Sequence, residues 1–151
     1  MSVQRLGWCP GVSAKDRGHF SFGTVSNTTA RDLILDCTEV DVTSIQVTST
    51  GTLTATITVL ASNSFIPGPG DATFGLTSVA GAAPIRAGTF VNITTRVTGI
   101  VNPAGAGGDC MINVAVAGEP QVSENFILVR FTPASGSGNL DMYVSGKSFT
   151  R

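Results

Sequence analysis

The chain has 151 residues, 42% hydrophobic and only 13% charged, and its 9 basic and 10 acidic side chains leave a net charge of −1. That length suffices to bury one core without disulfide staples, the scattered and balanced charge excludes an electrostatic footprint for nucleic acid, and no apolar run approaches the roughly 18 residues of a membrane-spanning helix. Thr, Val, Ser and Gly dominate while Lys- and Glu-rich helical stretches are missing, which predicts an all-β chain, and the scarcity of charge fits a surface partly covered by neighbouring molecules.

Residues 1–17 contain Gly7, Pro10 and Gly11 and show little periodicity, so they read as an extended N-terminal arm ahead of a single β-sandwich domain over 18–151. Arg5, Leu6 and Trp8 in that arm suit a segment that docks on a neighbouring protein; packing on the chain's own domain is the alternative. The N-terminus lacks the charged-then-apolar layout of a signal peptide, so the protein is expected to stay in the compartment where it is made. Cys9, Cys37 and Cys110, odd in number and widely spaced, fit reduced cytosolic thiols, with one disulfide and a free thiol as the alternative.

From His19 onward the pattern has period two. Phe20 and Phe22 share a parity, as do Leu33 and Leu35. Asp32, Asp36, Glu39 and Asp41 form the one acidic cluster. Asp32, Ile34 and Asp36 are expected on the outer face of a strand whose inner face is Leu33 and Leu35, where carboxylates discourage wrong pairing at an edge; cation binding is the other use of paired carboxylates. Residues 42–62 predict a hairpin turning at Gly51, with Leu53, Ala55, Ile57 and Val59 inside and a ladder of threonines outside.

The segment 63–70 holds two prolines and two glycines and cannot be regular structure. Phe65 and Ile66 at its tip are candidate partner contacts, unless they fold back over the end of the sandwich. Further strands are expected over 73–79, 89–95, 96–101 and 110–116, with a flexible glycine-rich loop at 102–109.

The stretch 122–147 organises the rest. Phe126 to Phe131 is continuously apolar apart from Arg130, which predicts a strand buried on both faces. Turn formers follow, and then Leu140, Met142 and Val144 alternate with Asp141, Tyr143 and Ser145, so a second hairpin is expected. Arg130 shares a face with Phe126 and Leu128, and a buried Arg requires an acid; Asp141 across the hairpin is the expected partner of this structural ion pair. The whole predicts an all-β, antiparallel two-sheet sandwich, jelly-roll-like, of about eight to ten strands.

Catalytic and metal chemistry find little to work with. His19 is the single histidine, no cysteine stands at metal-ligand spacing from it, and no nucleophile elbow precedes a helix. The glycine run 104–108 lacks the Gly-Lys-Ser/Thr end of a phosphate loop. No catalytic residue, metal ligand or cofactor is expected, and an enzymatic reading would need a pocket that gathers His19 with Asp or Glu.

Val40-Asp41-Val42 followed by Ser44-Ile45-Gln46-Val47, then Thr50-Gly51-Thr52-Leu53-Thr54, then Val59-Leu60-Ala61-Ser62-Asn63, and finally Val129-Arg130-Phe131-Thr132 leading through Ser135-Gly136-Ser137-Gly138-Asn139-Leu140 to Gly146-Lys147, resembles small β-sandwich virion structural proteins of tailed bacteriophages. The similarity spans 40–147, with its weakest part in the middle, where 64–70 replaces the Asp-Gly turn and Trp-containing strand of that family. The resemblance implies a non-enzymatic virion component: a head decoration protein, or a neck or tail accessory subunit. Its partners would be other copies of itself, as a homo-oligomer, and a major capsid or tail protein, with assembly in the host cytoplasm. A carbohydrate-binding sandwich that reads the host surface is the rival, and one Trp and one Tyr offer it few stacking platforms.

Overall fold

Strand β5 (Thr54–Ser62) shows how this sequence becomes a sheet. Ala55, Ile57, Val59 and Ala61 are buried, Thr56 is exposed and Thr54 and Thr58 are half-buried, so the threonine ladder lines the outer face as expected. β-Branched side chains sit well on a pleat, and alternation sends every second one to the core. The computed structural model describes residues 2–5, 15–26, 30–37, 40–64, 90–116, 119–120 and 124–148. Its other strands are β1 (Ser2–Arg5), β2 (Lys15–Ser26), β3 (Arg31–Asp36), β4 (Val40–Ser49), β6 (Val91–Asn92), β7 (Gly108–Asn113), β8 (Ala115–Val116), β9 (Glu119–Pro120), β10 (Phe126–Ser135) and β11 (Ser137–Ser148), with one 3₁₀ turn at Thr94–Arg96.

Two sheets form the sandwich, in the orders β1-β3-β10-β5-β6 and β2-β11-β4-β7, and β8 and β9 make a small separate ladder. Apart from β1, which runs parallel to β3, the paired strands are antiparallel. With β1 set aside, strands 3-10-5-6 face strands 2-11-4-7, which is the order of an eight-stranded jelly roll built from two Greek keys. One core lies between the sheets. Leu33, Leu35, Ile45, Leu53, Ile112, Ile127, Val129, Phe131, Leu140 and Met142 are within 1% of complete burial in it. Each such side chain contributes about 1.5–3 kcal/mol of transfer free energy, so association of the two sheets is the main stabilising event.

Strand β10 is buried on both faces from Phe126 to Val129. Its outward side chains Phe126 and Leu128 join Ile34, Phe90 and Leu60 in a second apolar cluster outside the first sheet. That cluster overturns the expectation for the acidic strand. Asp32 and Ile34 are both fully buried, and β3 lies between β1 and β10, so the outer face of β3 is a covered interior surface and not a solvated edge.

Both predicted hairpins are corrected. β4 and β5 belong to opposite sheets, as do β10 and β11, so each connection is an arch that crosses the core. Period-two alternation is the same in a hairpin and in an arch; the difference lies in the corner. Gly51 (φ 72°) and Gly136 (φ 78°) take left-handed backbone, and a Cβ on Gly136 would strike the Thr52 carbonyl oxygen. The two arches then bond to each other, the amides of Thr52 and Thr50 donating to the carbonyls of Ser137 (2.9 Å) and Asn139 (3.0 Å).

The same topology corrects the ion pair. Arg130 and Asp141 stand in different sheets and do not meet. Arg130 instead lies directly opposite Asp32 on β3 and grips it with two bonds, Nε to Oδ1 at 2.8 Å and Nη2 to Oδ2 at 2.9 Å. Asp32 is 1% exposed and Arg130 20%. The bidentate bond to Asp32 holds the guanidinium above its ordinary pKa against the opposing effect of burial.

The open edge of β5 is covered by irregular chain. Asn102 Oδ1 accepts from the Ile57 amide (2.9 Å), Pro103 O from Ala55 (3.1 Å), Thr94 Oγ1 from Val59 (3.0 Å), and the Gly105 amide donates to Leu53 O (2.9 Å). Residues 102–105 are therefore docked along the sheet, although their composition predicts a flexible loop. No strand runs through 96–101 beyond the Thr98–Asn113 bridge. The strand expected over 89–95 is reduced to Val91–Asn92 and the 3₁₀ turn, while the one expected over 73–79 lies outside the described residues.

Candidate functional site

The outer face of the β2-β11-β4-β7 sheet gathers the most chemically varied exposed side chains among the described residues. Register builds it. His19 lies opposite Tyr143, Tyr143 opposite Gln46, and Gln46 opposite Met111, so one row crosses all four strands. On one side runs the row Ser21, Asp141, Thr48 and Asp109, and on the other Arg17, Ser145, Ser44 and Asn113. The alternate residues Ile45, Val47, Cys110, Ile112, Leu140, Met142 and Val144 are buried, which fixes the rows' residues on β4, β7 and β11 outward, while Arg17 is placed by register alone.

Two contacts stiffen the row. The His19 and Tyr143 rings are stacked with centroids 4.4 Å apart and planes within 5°, and His19 Nε2 donates to Asp141 Oδ1 at 2.9 Å. A stacked cross-strand pair contributes about 0.5–1.5 kcal/mol beyond its burial. Both rings are thereby held upright, with Tyr143 40% exposed and Met111 at the far end of the row 45% exposed. Gln46 Nε2 donates to Thr48 Oγ1 (3.4 Å), and Thr24 Oγ1 to Asn139 Oδ1 (3.2 Å), which continues the polar lattice along the sheet.

Two concavities lined by described residues are small and shallow. One, of about 300 Å³, is lined by Ser62, Asn63, Val91, Ile93, Arg96 and Glu124 and contains the Arg96–Glu124 ion pair at 2.6 Å. Another, of about 240 Å³, lies against residues 101–109. Neither includes His19, whose side chain stands 53% exposed on the open sheet face beside Asp141. Among the described residues no group of three or more His, Cys, Asp or Glu is arranged to hold a metal ion. Cys110 is a buried free thiol.

Of the residues singled out from sequence, Arg5 falls on β1 in register with Asp36, while Leu6, Trp8, Phe65 and Ile66 lie outside the described residues. Residues 2–5 and 15–17 of the predicted arm belong to β1 and β2. Comparison with models of known protein families gives no match, and comparison with curated proteins gives none either.

The row His19–Tyr143–Gln46–Met111 was missed as a unit. Alternation along each strand already turned Asp141 and Tyr143 outward, but their neighbours come from strands as far as 122 residues away in sequence. Only the jelly-roll order brings β2 and β4 beside β11 and β7 beside β4.

Proposed function

We propose that this chain is a non-enzymatic structural component of a tailed-phage virion, a capsid decoration or accessory subunit that works by protein–protein contact. The observation that carries the reading is the row His19–Tyr143–Gln46–Met111, exposed at His19, Tyr143 and Met111 and half-buried at Gln46, which crosses all four strands of the sheet. Tyr and Met are enriched at protein interfaces and charge is depleted at their centres, which is the composition of this row. The jelly roll adds support of a general kind, since capsid domains and lectins both use it. Fold alone assigns neither, so the side chains must decide.

They favour protein contact over sugar stacking. One face of the Tyr143 ring is already covered by His19, which removes half of a platform on which a sugar would lie. An enzymatic reading is weakened by the openness of His19, because catalysis by an acid–histidine pair relies on a site that excludes water. The test is mass spectrometry and co-sedimentation of purified particles of the phage that encodes the chain. Stoichiometric presence in particles, reduced by a Met111→Arg or Tyr143→Ala substitution, is expected. Absence from particles, or glycan-array binding lost with Tyr143→Ala, would replace this reading with another.

A further inference from the structure

We infer that the outer face of the β2-β11-β4-β7 sheet pairs with the same face of a second copy, about a two-fold axis that runs along the row His19–Tyr143–Gln46–Met111. The inference rests on the assembly reading above and names the partner of that face.

The argument is one of charge across a self-complementary surface. A two-fold contact brings a patch against itself, and the direction of the axis decides which residues meet. The acidic row holds Asp141 and Asp109; the opposite flanking row, Arg17, Ser145, Ser44 and Asn113, holds no acid. An axis along the central row exchanges the two flanks. Asp141 then faces Ser145 of the other copy and Asp109 faces its Asn113, so each carboxylate meets a hydroxyl or amide donor. The register position of Arg17 falls one strand away from Asp141 of the other copy. An axis along the strands would instead lay the acidic row on itself, with Asp141 and Asp109 of the two copies one strand apart, and like charges so placed oppose association.

On the axis the central row meets its own equivalents, so the Tyr143 rings and Gln46 amides of the two copies come together. Tyr143 and Met111, 40% and 45% exposed in the single chain, are then covered. Strands in the two facing sheets are aligned, as in the packing of sandwich sheets. Four strands about 4.8 Å apart and three rows about 6.8 Å apart give a patch of about 400 Å² per copy, small for a specific contact. The pairing is therefore weak in free solution and gains strength where copies are concentrated on a particle.

Single-cysteine substitutions on the exposed face read the axis directly. At about 100 µM protein, Gln46→Cys is expected to be joined to its own copy by a short bis-maleimide reagent, which spans the roughly 10 Å between packed sheets that a disulfide cannot. Thr48→Cys is expected to cross-link to a Ser44→Cys chain in a mixture but not to itself. Adding Tyr143→Ala to the Gln46→Cys chain is expected to lower the cross-linked fraction about tenfold. The unsubstituted chain, with its own cysteines, sets the background, and circular dichroism confirms that each variant is folded. No cross-link above background from folded Gln46→Cys, or Thr48→Cys linking to itself in preference to Ser44→Cys, would overturn the inference. Failure here with the chain still present on particles removes only the two-fold pairing, whereas cross-linking as expected by a chain absent from particles removes only the virion reading.

Discussion

Arg130 and Asp32 place opposite charges on neighbouring strands of the first sheet, in direct register and nearly out of water. Removing both charges from water is expensive, and the two parallel bonds offset that penalty only while both partners are present. An Arg130→Met substitution is accordingly expected to lower the free energy of unfolding by about 3–5 kcal/mol, because it strands the Asp32 carboxylate. Replacing both, as Asp32→Leu with Arg130→Met, is expected to recover most of that loss; urea denaturation of the single and double variants is the check. Asn102 makes a smaller contribution of the same kind. Its side chain satisfies the Ile57 amide on an otherwise open strand edge, and Asn102→Ala is expected to cost about 1–3 kcal/mol by leaving that donor unpaired. At this scale the sequence was half legible. Alternation placed Arg130 on the face of Phe126 and Leu128 and demanded an acid for it, but the acid is set by which strand lies beside β10, and Asp32 is 98 positions away.

Elements were more legible than their partners. The inside-outside pattern of β5, the double burial of β10 from Phe126 to Val129 and the alternation of β11 could all be read directly. A period-two pattern reports which face of a strand is buried and says nothing about which sheet holds the next strand, so both arches looked like hairpins. The irregular cover of β5 was hidden for a related reason: glycine- and proline-rich composition registers conformational freedom, while the bonds from residues 102–105 to β5 depend on tertiary position. The corner at Gly136 is where the arch can be tested. Its φ of 78° and the crowding of a Cβ against Thr52 O predict that Gly136→Ala destabilises the fold by about 1–3 kcal/mol or more. Ser137→Ala, whose neighbouring contacts run through backbone atoms at that residue, is expected to be near neutral. Thermal unfolding of the two variants side by side distinguishes a strained corner from general sensitivity of the segment.

For the whole molecule, the low charge and the jelly roll belong together. A net charge of −1 provides little repulsion between copies, and a flat sheet face that carries an exposed Tyr and Met amid hydroxyls is suited to being covered. The face has few charges, so its associations are expected to weaken only modestly between low and physiological salt, in contrast to contacts held by ion pairs. The proposed function draws on the resemblance to virion proteins and on a contact surface that arises from register, which no single strand displays. The most direct measurement of the central claim, that this face makes protein contacts, is sedimentation equilibrium of the native chain and its Tyr143→Ala variant up to millimolar concentration. The account predicts a weight-average mass that rises from 15.5 kDa with concentration for the native chain and stays near 15.5 kDa for the variant. A mass fixed at 15.5 kDa for both, or an equal rise for both, would contradict it.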